Sequence, residues 1–346
     1  MPFAKLGPVV ALAASLIAGS AQHSAAAAVD PGTQLLRQAM DAPRAVSYVG
    51  QLETVRFSSN RANATIVRIW HLAPSMTRRW YLAPEALYND YIITRGSSSY
   101  QFDTKRSELK ISHNPVLDDQ VAAEDSLNRV LTNFRASVAR GEIIAGRQTT
   151  SLILVNKYTG ERVMRLWLDT QTHLVLKKEE YHGNGAVASE TRFEELRYTS
   201  AIPAAMFSTE TPSGFVQVAG RDYAMPSADI DRVIHEAGFT PIKPTNLPQG
   251  FALISGDATT VNGVRTLHLT YSDGLRTLSL FENATGAAAD FGALRPQTVQ
   301  FEGHDAQYVE DGPTTLLTWK EHGLYFALVG DLLRTELVEI AKSVVL

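Results

Sequence analysis

The chain has 346 residues, 32 basic and 36 acidic side chains, a formal net charge of -4 and no cysteine. The last point rules out a disulfide, a thiolate metal site and the lipidated cysteine of a bacterial lipoprotein. The mild acidity argues against a nucleic-acid binder, which needs a strongly basic stripe, and the length exceeds what one hydrophobic core usually serves, so two domains are expected.

Lys5 precedes an apolar run from Leu6 to Ala18 and a stretch of small residues reaching Ala28. This is the layout of a secretory signal peptide over residues 1–28. The run is shorter than the roughly 20 apolar residues that span a bilayer, so an uncleaved anchor is the lesser alternative. Small residues suit cleavage after Gly19-Ser20-Ala21 or after Ala25 to Ala28, and the second site is preferred. The longest later apolar stretch, Leu324 to Val329, is strand-sized. A soluble exported protein, periplasmic or secreted, is the expectation.

In the first domain, expected over 29–217, Thr33 should cap a short helix carrying Leu35, Leu36 and Met40 that Asp41-Ala42-Pro43 ends. Strands follow at Val46 to Phe57, Thr65 to Leu72, Thr77 to Leu82 and Tyr91 to Thr94, rich in β-branched and aromatic residues and parted by polar clusters such as Ser58-Ser59-Asn60. Ile66, Trp70 and Leu72 fall on one parity and Val67 and Ile69 on the other, which predicts cover on both faces. Leu127, Val130, Leu131, Phe134 and Val138 form a helical stripe with Gly141 as its stop. A meander then runs through Thr150 to Asn156, Arg162 to Asp169, Leu174 to Tyr181 and Ala188 to Tyr198, with turns at Tyr158-Thr159-Gly160 and Gly183-Asn184-Gly185.

Residues 218–226 lack a sustained period and read as a linker to a second domain over 227–346. Ser227 should cap a helix that turns Ile230, Val233, Ile234 and Ala237 inward and stops at Gly238. Past Leu247-Pro248-Gln249-Gly250, Arg265, Leu267, Leu269 and Tyr271 alternate with Val264, Thr266, His268 and Thr270, and Ser272-Asp273-Gly274 turns the chain into Leu275 to Phe281. A hairpin over Thr314 to Val329 bends at Glu321-His322-Gly323, and a last helix from Asp331 packs Leu333, Leu337, Ile340 and Val344. No repeat at solenoid periods is present.

The order of motifs resembles the RseB/MucB family along nearly the whole exported chain. The carrying residues are Tyr48-x-Gly50, Gly146-Arg147, the run Arg165-Leu166-Trp167-Leu168-Asp169 followed by Leu174 and Lys177, Leu247-Pro248-x-Gly250-Phe251, and Tyr271-Ser272-Asp273-Gly274-Leu275 leading to Ser279 and Phe281. The resemblance implies a mainly β, α+β fold: a LolA-like unclosed antiparallel β-barrel with a helical lid, then a smaller antiparallel sheet with helices. It also implies a periplasmic regulator of the envelope-stress sigma factor that binds the periplasmic part of a single-span membrane anti-sigma factor, shields it from proteolysis and releases it when envelope components arrive. The guests so implied include lipid, lipoprotein or lipopolysaccharide; a homodimer is left open.

Enzymatic readings find little support in the residues. Ser107-Glu108-Leu109-Lys110 has the spacing of a Ser-x-x-Lys acyl enzyme, but in a strand-like stretch residues i and i+3 point to opposite faces. His235-Glu236 opens like a zinc-protease helix, yet residue 239 is phenylalanine. His71, His113, His173, His182, His268, His304 and His322 lack paired ligand spacing. Arg78-Arg79 and Lys177-Lys178 read as strand-surface charges, and Asp273-Gly274 as a turn. No catalytic residue, metal or cofactor is expected, and no nucleic acid.

The large apolar residues leave two readings open. Trp70, Trp80, Tyr81, Ile92, Phe134, Trp167 and Leu174 either fill the core or line a cavity for an acyl chain, with the helix around Phe134 as its lid. A dozen buried methylenes would offer about 10 kcal/mol before binding costs, at about 0.8 kcal/mol each. A partner protein, for its part, would use an interdomain groove or add a strand to a sheet edge. A regulator that binds an anti-sigma factor is the first reading; a periplasmic lipid or lipoprotein carrier with no sigma-factor role is the alternative.

Overall fold

The computed structural model describes residues 30–58, 61–114, 120–219, 227–261, 264–284, 291, 294–311 and 314–344. The expected signal peptide and both cleavage sites lie outside them. The chain forms two compact units that divide between Met225 and Pro226.

The first unit opens with helix α1, Pro31–Ala45. Its N-cap is Asp30, whose carboxylate accepts from the Thr33 amide, so Thr33 sits inside the first turn instead of capping it. Pro31 is the first helical residue, where a missing N–H costs nothing. Pro43 does not end the helix; it lies in the last turn, and the Val46 amide closes on Ala42.

Strands then follow in order: β1 (Tyr48–Ser58), β2 (Arg61–Leu72), β3 (Met76–Ala83), β4 (Tyr91–Arg95), β5 (Ser98–Asp103) and β6 (Glu108–His113). The last two escape the sequence patterns, because Ser98-Ser99-Tyr100-Gln101 offers few apolar side chains. After helix α2 (Gln120–Asn133) come β7 (Phe134–Ile144), β8 (Arg147–Asn156), β9 (Arg162–Asp169), β10 (Val175–Tyr181), β11 (Val187–Tyr198) and β12 (Val216–Ala219). Val218 and Ala219, expected in a linker, therefore belong to a strand; residues 220–226 lie outside the described residues.

The expected helix through Val138 is shorter than its stripe suggests. Asn133 ends α2 and Phe134 begins β7. The Lys157 ammonium takes the carbonyls of Leu131 and Thr132, and the Lys157 amide takes that of Asn133. With its last carbonyls capped from the turn that follows β8, the helix stops. Gly141 is no helix stop either: it lies in β7, where a Cβ would meet the Thr149 carbonyl oxygen at 2.1 Å.

The twelve strands make one open sheet in the order β12-β6-β5-β4-β3-β2-β1-β11-β10-β9-β8-β7. Among the described residues only the pairing of β12 on β6 is parallel. Strand register decides what each face carries. Val49, Trp70, Arg78, Ile93, Tyr100 and Ile111 stand side by side across β1 to β6. Ile202, Met206, Phe207 and Phe215 pack on this row's buried neighbours Phe102 and Leu109. On the opposite face the apolar residues lie in the other half of the sheet. Leu152, Leu166 and Ala136 share it in β7 to β9, and α1 and α2 pack against β7. The covered face thus changes side near β1 and β2, which is why those two strands are apolar on both parities.

The second unit holds helix α3 (Ile230–Ala237), strands β13 (Ala252–Val261), β14 (Val264–Ser272), β15 (Thr277–Asn283), β16 (Gln297–Phe301), β17 (His304–Asp311), β18 (Thr314–Glu321) and β19 (Leu324–Gly330), and helix α4 (Arg334–Lys342). Asp229, not Ser227, caps α3, while Gly238 takes the expected left-handed cap at φ 80. The β18–β19 turn places His322 and Gly323 at φ 48 and 77. The seven strands form one antiparallel sheet, β13-β14-β15-β19-β18-β17-β16. One face packs Leu267, Leu269, Leu280, Phe326 and Leu328 with Val233 of α3 and Leu337 and Ile340 of α4. Helix α4 starts at Arg334, three residues later than the sequence suggests, where Glu336 accepts the Leu333 amide.

Candidate binding surfaces

The seven large residues singled out from the sequence do not converge on one cavity. Register puts Trp70, Trp80 and Trp167 on one face of the first sheet, and Tyr81, Ile92 and Phe134 on the other. Phe134 is only 2% exposed, at the start of β7 and not on a helix. Leu174 precedes β10 and shares one buried cluster with Trp167, Tyr48, Ile69, Leu176 and Phe193.

Two of the tryptophans build a surface. Trp70 lies opposite Arg78, and Arg68 opposite Trp80; the two indoles stack with centroids 6.4 Å apart at 22°. The Arg78 guanidinium lies 4.4 Å from the Tyr91 ring and 5.9 Å from that of Trp70, and donates to the Met206 carbonyl at 3.2 Å. Burial lowers its pKa, with the nearby Tyr91 phenol acting in the other direction. Trp80, 36% exposed, is the outer wall of this cluster. Beside it Arg68 pairs with Glu195 at 2.9 Å.

Trp167 sits in a different setting on the same face. Lys177 lies opposite it, and the Lys177 ammonium and the Arg165 guanidinium lie 4.5 and 4.4 Å from the indole. Lys177 also reaches Glu179 at 2.9 Å and Glu190 at 3.1 Å. Burial would lower its pKa, but those two carboxylates outweigh it and raise the value. The sequence treats Arg78 and Lys177 as plain surface charges. The missed signal is the two-residue spacing Arg78/Trp80 and Arg165/Trp167, which in a strand sets a cation and an indole on one face.

At the far end of the sheet β7 has a neighbour on one side only, and carries exposed Val138 and Ile143. Below it Asp169, fully buried, anchors a turn: it accepts from Arg147, from the Gln171 and Thr172 amides and from the Tyr198 hydroxyl. Ser107 occupies a turn at φ 52 before β6, with Lys110 in the strand. Among the described residues no group of three or more His, Asp or Glu is placed to hold a metal, and no helix is long and apolar enough to cross a membrane.

Residues 241–344 match the sequence profile of a domain of unknown function, DUF4367. No curated protein matches the chain. Among solved structures, MucB in complex with MucA(peri) is 18% identical with a TM-score of 0.58, over 90% of this chain and 97% of that one. The Pseudomonas aeruginosa MucA/MucB complex is 16% identical with a TM-score of 0.59, over 91% of this chain and 98% of that one. MucB solved by itself gives 17% identity and a TM-score of 0.50, over 90% and 96%. From its open twelve-stranded sheet to its closing helix, the chain has the fold of MucB.

Proposed function

We propose that this protein is a periplasmic regulator that binds the periplasmic segment of a single-span anti-sigma factor. The observation that supports it is the shared fold with MucB, solved in complex with MucA(peri), over nine-tenths of the chain. A binding role also agrees with the surfaces. A partner segment could extend the sheet at β7, where main-chain groups supply affinity and the exposed Val138 and Ile143 supply apolar contact. The charged stripe of Arg165, Lys177, Glu179 and Glu190 beside it would set orientation more than strength.

The test is capture from the protein's own envelope followed by calorimetry. The full exported chain should retain one single-span membrane protein, and the purified periplasmic segment of that protein should bind it with a saturable stoichiometry. Changing Val138 to proline, which removes an edge amide, should weaken binding at least ten-fold if β7 is the acceptor. Recovery of lipid or lipoprotein alone would sink the regulatory reading.

The half-exposed Trp80 stacked on Trp70 favours a second reading, a sensor or carrier of lipid or lipoprotein. Native mass spectrometry of protein purified from its own envelope should then show an acyl ligand that Trp80→Asp loses. Retention unchanged in Trp80→Asp would remove that site from consideration.

A further inference from the structure

We propose that Ser279, His268 and Asp257, on the second unit's sheet, form a nucleophilic triad that cleaves carboxylic esters with a short apolar acyl group. The site is separate from the binding surfaces above and does not depend on them.

The three side chains come from adjacent strands and share the face turned away from the Leu267 and Leu269 core. Asp257 lies opposite His268, and Thr270 opposite Ser279. The Asp257 carboxylate is 2.9 Å from His268 Nδ1, and the Ser279 hydroxyl 3.0 Å from His268 Nε2. In the imidazole tautomer that donates from Nδ1 to the Asp257 carboxylate, the lone pair lies at Nε2. That lone pair faces the Ser279 hydroxyl, the arrangement in which imidazole serves as general base. The ring is held in this orientation by Phe281, stacked on it at 4.3 Å and 9°. The site is open to solvent, since the His268 and Asp257 side chains are 21% and 26% exposed.

Two neighbours set the substrate class. Thr270 Oγ1 also lies within hydrogen-bond distance of Nε2, at 3.3 Å against 3.0 Å for Ser279, and once Nε2 has taken the Ser279 proton the Thr270 hydroxyl can turn to donate to an oxyanion forming beside Ser279. Ser279 also lies opposite Val329, which with Phe281 joins an apolar cluster of Leu316, Ala327 and Leu294. An acyl group reaching Ser279 would rest on that apolar floor.

In the reaction Ser279 Oγ bonds to the ester carbonyl carbon as its proton passes to Nε2. The tetrahedral oxyanion collapses, the ester C–O bond breaks, and the departing alcohol takes the proton from Nε2. Water then adds to the acyl-serine, giving a proton to Nε2, and the acid leaves as that proton returns to Ser279. Ester and water become acid and alcohol. The central strands' backbone amides are committed to the sheet ladder, so a single hydroxyl is the oxyanion donor, and turnover should be slow.

The test uses the full exported chain with p-nitrophenyl butyrate and with a fluorophosphonate probe. A stoichiometric burst of nitrophenol is expected, with the probe on the peptide bearing Ser279. Ser279→Ala should abolish the burst, and His268→Gln should lower its rate on the order of 100-fold, the usual contribution of a general base. Asp257 is a positioning residue: Asp257→Asn, which disfavours the required tautomer, should lower kcat with KM unchanged, and Asp257→Glu should restore part of it. Near-UV circular dichroism checks that each variant is folded. Equal hydrolysis by wild type and folded Ser279→Ala, meaning an unaided imidazole, would overturn the proposal. So would probe labelling that spares Ser279.

Discussion

Replacing Glu282 by glutamine should strip the second unit of most of its pH dependence between about pH 5.5 and 8. Glu282 points into the core of that unit, opposite Leu267 and Phe326, and is fully buried. One carboxyl oxygen accepts the Ile242 amide at 2.9 Å; the other has no hydrogen-bond partner. Burial pushes its pKa up to about 7 from an ordinary 4.5, against the smaller pull of the Ile242 amide and the Lys243 charge. Because the folded value exceeds the unfolded one, the native state holds this proton more tightly. The resulting stabilisation is full below the ordinary value and is lost as pH rises through about 7. Across the whole gap this amounts to about 3 kcal/mol, of which about 2 kcal/mol falls between pH 5.5 and 8. Urea unfolding at the two pH values, followed by hydrogen exchange in peptides covering β14 and β15, measures it. Wild type should lose about 2 kcal/mol at the higher pH, whereas Glu282→Gln, which keeps an acceptor for Ile242, should change little and be the more stable protein at pH 8. An unaltered slope in Glu282→Gln would refute the assignment.

Asp169 should show the opposite sign. Burial by itself would raise its pKa, but Arg147, the Gln171 and Thr172 amides and the Tyr198 hydroxyl outweigh it and hold the carboxyl below its usual range. Its stabilisation is present above the ordinary carboxylate value and is lost as pH falls through the depressed folded one. Asp169→Asn should cost about 3–5 kcal/mol at pH 7, read as a lower urea midpoint for the first unit, because Arg147 loses its charge partner. A cost under about 1 kcal/mol would contradict that account. Gly141→Ala should destabilise the β7–β8 pair by about 2–4 kcal/mol, since the methyl would meet the Thr149 carbonyl; faster amide exchange confined to those strands is the readout. Arg78→Met, of similar length but uncharged, should alter the Trp70 fluorescence of the folded protein while changing stability by only about 1 kcal/mol, because the lost cation–π contacts to Trp70 and Tyr91 are offset by the relieved burial of charge.

The meander strands, the turns at Gly160, Gly185 and Gly323 and the left-handed cap at Gly238 are all legible in the chain. Each depends on a few consecutive residues: a two-residue period, or a φ that glycine adopts without strain. The same rules fail where a distant group decides. Nothing local ends α2 at Asn133; Lys157, in the turn after β8, ends it by taking its carbonyls. Strands β5 and β6 carry only a short alternation, Tyr100 with Phe102 and Leu109 with Ile111, and pairing across the sheet is what joins these side chains to one covered face.

For the binding surface, the sequence could name aromatic candidates but not group them. Whether Trp167 shares a face with Trp70 depends on a chain of pairings, Trp167 to Lys177, Lys177 to Arg192, Arg192 to Glu53 and Glu53 to Ile66, each set by long-range register. A one-residue slip anywhere along it would reverse the answer. The amino-acid sequence by itself therefore determined a two-part, mainly β chain with most of its strands and caps, since propensity and periodicity act over a few residues. Tertiary structure alone decided which side of the sheet each tryptophan occupies, what cations lie over them, and that Asp257, His268 and Ser279 meet, because those outcomes are fixed by pairings between segments far apart in the chain.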